Sequence, residues 1–148
     1  MLTGDYDLAA TRFHQSIREK CFPFTAYHYL GLLETLRGNP EKARDCFSKA
    51  VECARRHKQS DPDNPTILAY ETLALAALGN SNESGLCLKS LIDMAVQDGE
   101  VVWNIARCYA LMGNEEKSAE YCEVAVNTRA GPTLKELEID PHFSIGSN

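Results

Sequence analysis

Small and apolar residues recur at helical spacing along most of the chain. After position 5 they are separated by four residues and then three, as at Ala9, Phe13 and Ser16. The same steps recur in three further sets: Ala43, Phe47 and Ala50; Ser84, Leu88 and Leu91; Ser118, Cys122 and Ala125. Residues four and three apart share one face of a helix. The pattern therefore predicts an all-α chain whose helices each bury one face.

A two-residue signal precedes each of these segments. It is glycine followed by Asp or Asn, and it stands at Gly4-Asp5, Gly38-Asn39, Gly79-Asn80 and Gly113-Asn114. Successive signals are 34, 41 and 34 residues apart. Glycine suits the left-handed residue that ends one helix, and an Asp or Asn side chain suits the cap of the next. Each signal therefore predicts a corner between two antiparallel helices.

The longer interval holds seven extra residues, which need a place in the fold. We expect the helix after Gly38-Asn39 to run on into the basic cluster Arg55-Arg56-His57-Lys58 and to stop at Asp61-Pro62. Asn64-Pro65 then caps and starts the next helix. We interpret the basic cluster as a solvated helix end, with an anion or partner site as the alternative.

The hairpins resemble the tetratricopeptide repeat (TPR), a helical hairpin of about 34 residues with apolar, small and aromatic residues at fixed positions. The best match is at Tyr27, Leu30, Gly31, Gly38, Ala43, Phe47 and Ala50. The last unit matches at Ile105, Ala106, Tyr109, Gly113 and Ala125. The unit between them departs from the pattern with Glu71, Ser81 and Ser84 at less polar positions. At one offset the residues are all small (Gly31, Thr72 and Ala106), which lets paired helices approach closely.

The fold class predicted from the repeats and the resemblance is all-α. We expect a short right-handed superhelical solenoid of antiparallel hairpins, about three and a half repeats long, with a C-terminal capping helix. The whole chain, 1–148, is one domain. Residues 4–20 are predicted to form the second helix of a partial repeat, and the three repeats that follow span 23–59, 65–96 and 98–129. A linker, 60–64, separates the first two of these repeats, and the capping helix and tail span 133–143. Within the tail, Asp140-Pro141 is expected to end regular structure.

Composition and charge exclude several partners. The chain has 148 residues, 44% apolar and 24% charged, which is typical of one globular unit with a continuous core. Its 15 Lys and Arg against 21 Asp and Glu give a net charge of −6, which opposes nucleic acid and anionic lipid. No apolar run approaches the roughly 20 residues of a membrane span, and no secretion signal precedes the repeats. We therefore expect a cytoplasmic protein with no nucleic-acid or membrane partner.

Patterns typical of catalysis and metal binding are missing from the sequence. The four histidines show no His-x-x-x-His spacing, and the six cysteines form no Cys-x-x-Cys pair. There is no phosphate loop and no nucleophile elbow. We expect no enzyme activity, no catalytic residue, no metal and no cofactor. The cysteines are interpreted as reduced, mostly buried thiols, with one exposed reactive thiol as the alternative.

The resemblance implies a concave groove lined by the first helix of each hairpin. The family's groove positions fall in this chain on residues of three helices: His28 and Tyr29; Tyr70; Trp103, Asn104 and Arg107. The resemblance thus implies a non-enzymatic scaffold with a protein or peptide partner. We expect a peptide with apolar side chains, because the three aromatic residues offer broad apolar surface. The alternative is that these aromatics pack between helices or under the chain's own tail.

A structural role is the second hypothesis. The chain starts with half a hairpin, so one face of the N-terminal helix is expected to lack its neighbour: Leu8, Ala9, Phe13, Ser16 and Ile17. Either the chain is the C-terminal part of a larger signalling or regulatory protein, or it forms a homodimer through this helix. A helical-repeat RNA binder is the third hypothesis, which the acidic balance opposes.

Overall fold

The computed structural model describes residues 3–18, 23–94, 98–127 and 141–146. Across these residues the chain forms eight helices and no strand, so the predicted all-α class is confirmed. The helices are α1 (Thr3–Arg18), α2 (Pro23–Leu36), α3 (Pro40–Ser60), α4 (Pro65–Ala77), α5 (Ser81–Asp93), α6 (Gly99–Leu111), α7 (Glu115–Asn127) and α8 (Pro141–Gly146). Within those same ranges no helix has the length and apolar character needed to span a membrane.

Three of the predicted corners end in a left-handed glycine. The φ angle is 78° at Gly38, 78° at Gly79 and 80° at Gly113. At the first corner the N–H of Asn39 donates to the carbonyl of Glu34 at 2.8 Å, and the equivalent bond recurs at the other two. This is the long bond of a Schellman motif, which glycine accommodates without strain. The predicted corners are confirmed at these glycines.

Two other details of the corner prediction are wrong. Gly4 and Asp5 lie inside α1, so there is no corner at this position. Because glycine tolerates both left-handed and helical φ angles, the glycine signal alone does not distinguish a corner from a continuous helix. Asn39 does not cap α3, because its side-chain amide donates to Glu34 Oε2 at 2.8 Å. The cap predicted at Asn64 is confirmed, since its side chain accepts from the N–H of Thr66 at 2.9 Å.

The first helices of the hairpins lie side by side. Helix α4 contacts both α2 and α6, and each of these three helices also packs against the helix that follows it. Helix α4 is buried on every side, since the ten residues from Ile67 to Ala76 are all buried. A helix that is apolar all round belongs in the interior of a protein. The arrangement is an all-α, repeat-like packing of helices with its core centred on α4.

The predicted close approach between paired helices is confirmed at Gly31. A Cβ atom added to Gly31 would lie 2.5 Å from Cε1 of Phe47, on the facing surface of α3. Real Cβ atoms essentially never come so close to another heavy atom. The ring of Phe47 therefore occupies the space that any larger residue at position 31 would need.

Helix α3 extends to Ser60 as the sequence predicts, but its basic end is not simply solvated. Nε of Arg55 lies 3.2 Å from Oε1 of Glu71, and Nζ of Lys58 lies 2.6 Å from Oε2. Glu71 is only 2% exposed, and a buried carboxylate is tolerated when it is paired and hydrogen-bonded. The extra length of α3 thus supplies the cations for the polar residue that departs from the repeat pattern. Arg55 and Lys58 remain 48% and 36% exposed, so the interpretation as a solvated helix end holds for them in part, but it missed their pairing with Glu71.

The N-terminal helix α1 packs against α2. The ring of Phe13 stacks on that of Tyr29, with centroids 5.6 Å apart. Leu8 is 53% exposed, as expected of an uncovered face, but the same expectation is wrong for Phe13, which α2 covers. The side chains of residues 16 and 17 lie outside the described part of the structure. Dimerisation through this helix stays a prediction.

The tail differs from the expectation at Pro141. This residue begins helix α8 rather than ending regular structure, because proline fits the first turn of a helix, where its missing N–H is not needed. Most of the capping helix predicted for 133–143 lies outside the described residues. Helix α8 packs against α6.

The described thiols agree with the interpretation of the cysteines as buried. Cys108 is fully buried, and Cys46, Cys53 and Cys87 are partly buried. Burial raises the pKa of each of these four thiols above its ordinary value. Little thiolate is therefore present at neutral pH, and thiolate is the reactive form.

Candidate functional site

The predicted groove residues lie on the three helices that run side by side. His28 and Tyr29 belong to α2, Tyr70 belongs to α4, and Trp103, Asn104 and Arg107 belong to α6. Four of them are buried in the described structure: His28, Tyr70, Asn104 and Arg107. Tyr29 and Trp103 are half-buried. The two half-buried aromatic rings are therefore the groove residues best placed to meet a ligand.

The α2 end of the site is an aromatic cluster. The ring centroids of His28 and Tyr70 lie 5.9 Å apart with an edge-on geometry, and those of Tyr29 and Tyr70 lie 6.5 Å apart. Phe47 from α3 closes the cluster behind His28 at 5.4 Å. Such offset and edge-on pairs are the favoured arrangements of aromatic rings. They hold the ring of His28 in one orientation.

His142 from the tail completes this cluster. Its Nε2 atom lies 2.8 Å from Nε2 of His28, and the two rings are nearly parallel, at 12°, with centroids 5.1 Å apart, so they meet tip to tip through these nitrogens. The ring of His142 is also nearly perpendicular to that of Tyr29, with centroids 5.9 Å apart. Both imidazoles are fully buried. One of the two Nε2 atoms donates and the other accepts, so at least one ring must offer a lone pair there.

The sequence-based assignment missed His142. No spacing signal connects it to the groove, because the tail lies outside the repeat pattern and 114 residues separate it from His28. For His28 and Tyr29 the structure agrees with the alternative, in which the groove aromatics pack under the chain's own tail. Part of the predicted groove is thus occupied by α8.

The α6 end of the site holds a buried cation. Cζ of Arg107 lies 4.0 Å from the centre of the Trp103 ring, which is a favourable cation–π distance. Nη1 of Arg107 donates to Oδ1 of Asn104 at 2.7 Å. The guanidinium is thereby fixed in place between two neighbours on its own helix.

Two N–H donors beside this cation have no acceptor among the residues that the structure describes. They are Nε1 of Trp103 and Nδ2 of Asn104, and both atoms are buried. A buried donor without an acceptor costs about 1–3 kcal/mol. Native proteins keep few such groups, and functional sites are one place where they persist. The two donors indicate a position for an acceptor that a ligand would bring.

Tyr70 links the two ends of the site. Burial, followed by its interactions with Tyr29, raises the pKa of the Tyr70 hydroxyl well above its ordinary value, and Arg107 opposes that shift. The hydroxyl therefore remains protonated throughout the physiological pH range, and its hydrogen bond with Tyr29 contributes to the shift. The arrangement is suited to holding a ligand through aromatic surface and N–H groups.

Metal binding finds no support in the described part of the chain. His28 and His142 form a pair only, and no group of three or more His, Cys, Asp and Glu side chains within the described ranges could hold a metal ion.

The chain matches no protein-family model, no curated protein and no solved structure. The likeness to tetratricopeptide repeats is therefore carried by the residues alone and stays a prediction.

Proposed function

We propose that the protein is a non-enzymatic interaction scaffold, a short solenoid of TPR-like hairpins that binds a peptide segment of a partner protein. The binding surface is the groove along α2, α4 and α6. The observation that carries the proposal is the pair of buried donors, Nε1 of Trp103 and Nδ2 of Asn104, for which the described part of the chain provides no acceptor. A peptide supplies acceptors, because every residue carries a backbone carbonyl.

The surroundings of the two donors favour a peptide over other ligands. The half-buried ring of Trp103 offers flat apolar surface, and aromatic residues of this kind dominate protein interfaces. The fixed guanidinium of Arg107 beside Asn104 attracts a carbonyl or carboxylate oxygen and so sets the direction of the bound segment. The overall charge of −6 disfavours nucleic acid.

The substitution Trp103→Phe tests this proposal while keeping an aromatic side chain. It leaves a six-membered ring beside Arg107 and removes the indole N–H together with two ring carbons, and because Trp103 is only half-buried the fold should be retained. Loss of a hydrogen bond from a buried donor is expected to weaken partner binding about tenfold. The measurement is capture of cytosolic proteins by the immobilised chain, followed by titration of the captured protein.

The matched control is Leu86→Ala on α5, since Leu86 is 70% exposed and remote from the two donors in the chain. We expect this control to bind like the wild type. A partner captured equally well by the wild type, the Trp103→Phe variant and the control would contradict the proposal. Tyr70 is a poor target for such a test, because it is part of the core.

A structural or self-association role is the second candidate. The observation that favours it is the insertion of His142 into the groove, because a groove filled by its own chain has less surface for others. In that role the chain would dimerise through α1, because Leu8 on this helix is 53% exposed. A charge at position 8 would disrupt such an apolar interface. We expect light scattering to show a dimer that the Leu8→Glu variant no longer forms; a monomer at every concentration would contradict this role.

A further inference from the structure

His142 lies in a pocket between the rings of His28 and Tyr29. The choice of side chain by this pocket extends, and rests on, the peptide binding proposed above. We propose that this pocket selects an imidazole side chain in the bound segment, and that His142 is a built-in competitor for it. The pocket consists of the ring of His28, whose Nε2 meets Nε2 of the bound ring, and the ring of Tyr29, which lies nearly perpendicular to the bound ring. We call it the imidazole pocket.

The imidazole pocket requires two properties in one side chain. The 2.8 Å contact with Nε2 of His28 requires a nitrogen at the tip of the side chain, and the perpendicular contact with the ring of Tyr29 at 5.9 Å requires a flat ring. A phenyl ring has the flat face without the nitrogen, and a carboxamide has the nitrogen without the ring. Phe47 and Tyr70 pack against His28 and hold its ring in place. Imidazole meets both requirements.

The tail is held in a way that allows its replacement. Helix α8 has only six residues, and isolated helices of this length do not form in water. Its place is therefore set by its contacts with α6 and by the buried ring of His142. A tethered segment competes at an effective concentration on the order of 1 mM. A partner segment must overcome this internal competitor before it occupies the pocket.

Binding of a free tail peptide to the full chain tests the proposal. The probe is a fluorescent peptide of residues 139–148, and the measurement is its anisotropy as chain is added. The wild-type chain should bind it with an apparent Kd of about 1 mM or weaker, because the internal tail competes. The His142→Ala chain should bind it at least tenfold more tightly. Equal affinity for the two chains would overturn the proposal.

Control variants distinguish binding in the imidazole pocket from nonspecific binding of the peptide. A chain with His14→Ala, at an exposed histidine of α1, should behave like the wild type. A His28→Ala/His142→Ala chain should lose the tight binding, and peptides with His142→Ala or His142→Phe should bind the His142→Ala chain at least tenfold more weakly. Tight binding of the phenylalanine peptide, or tight binding that survives loss of His28, would overturn imidazole selection.

Folding and dimerisation are controlled in the same samples. The helical content of each chain is measured by circular dichroism. If the His142→Ala chain unfolds, the His142→Gln chain replaces it, because glutamine keeps a hydrogen-bonding tip without the ring; this chain should bind the tail peptide with the same increase in affinity. A dimer that His28→Ala abolishes would place the tail in a second copy and overturn the intramolecular assignment. Unchanged partner capture by the Trp103→Phe chain, together with tight His28-dependent peptide binding, would remove the proposed function and leave the imidazole pocket standing.

Discussion

Replacing Arg55 by Leu and Lys58 by Met in one chain is expected to lower the free energy of unfolding by about 3–5 kcal/mol. The reason lies in Glu71, which is 2% exposed and is contacted by both cations. Without them its carboxylate stays buried and uncompensated. Urea unfolding followed by circular dichroism at neutral pH measures the loss directly.

Two further variants show whether the buried carboxylate is the cause. Adding Glu71→Leu to the double variant should restore most of the stability, because no buried charge then remains. Arg56→Leu is the matched control: Arg56 belongs to the same basic cluster, but its ion pair with Glu52 is exposed and is worth at most about 1 kcal/mol. A double variant no less stable than Arg56→Leu would show that Glu71 does not depend on these partners.

Gly31→Leu is expected to lower the free energy of unfolding by about 3 kcal/mol or more. Overpacking of a filled core costs about 1–3 kcal/mol for an added methylene or two, and occasionally more. Here the Cβ atom alone would already lie 2.5 Å from the ring of Phe47. Phe47 is itself buried among Leu32 and Ala43, so its ring has little room to move. Thermal and urea unfolding both report the change.

The same substitution at Gly85 in α5 gives the matched control. A Cβ atom at Gly85 meets nothing within 4 Å, and replacing a glycine inside a helix gains up to about 1 kcal/mol from helix propensity. Gly85→Leu should therefore leave stability unchanged or raise it. If Gly31→Leu and Gly85→Leu behaved alike, the tight contact between α2 and α3 would not hold in solution.

Local features of this fold could be predicted from the sequence because they depend on neighbouring residues. A left-handed glycine with its following Asn acts within one turn, and so the corners at Gly38, Gly79 and Gly113 were predictable. The close contact at Gly31 followed from a small residue at a repeated offset. At Gly4 the same local signal failed, because glycine is compatible with both a corner and a helix.

Features that join distant positions could not be predicted in the same way. The cluster of Arg55 and Lys58 looks like a basic helix end until Glu71 is placed beside it by the packing of α3 against α4. His142 joins His28 across 114 residues of chain, and no periodicity relates the tail to the repeats. The repeat spacing did place the candidate site on three adjacent helices, but burial of individual groove residues depends on tertiary neighbours.

The pairing of Glu71 with the end of α3 limits how this protein can change by shuffling of its hairpins. In an array of interchangeable units, duplication or loss of one unit leaves each remaining seam intact. Here the contact between α3 and α4 is specialised, because a carboxylate on one side matches two cations on the other. Recombination that separated these two helices would leave the Glu71 carboxylate buried without its cations, and so we expect the two hairpins to tolerate duplication or loss only as a pair.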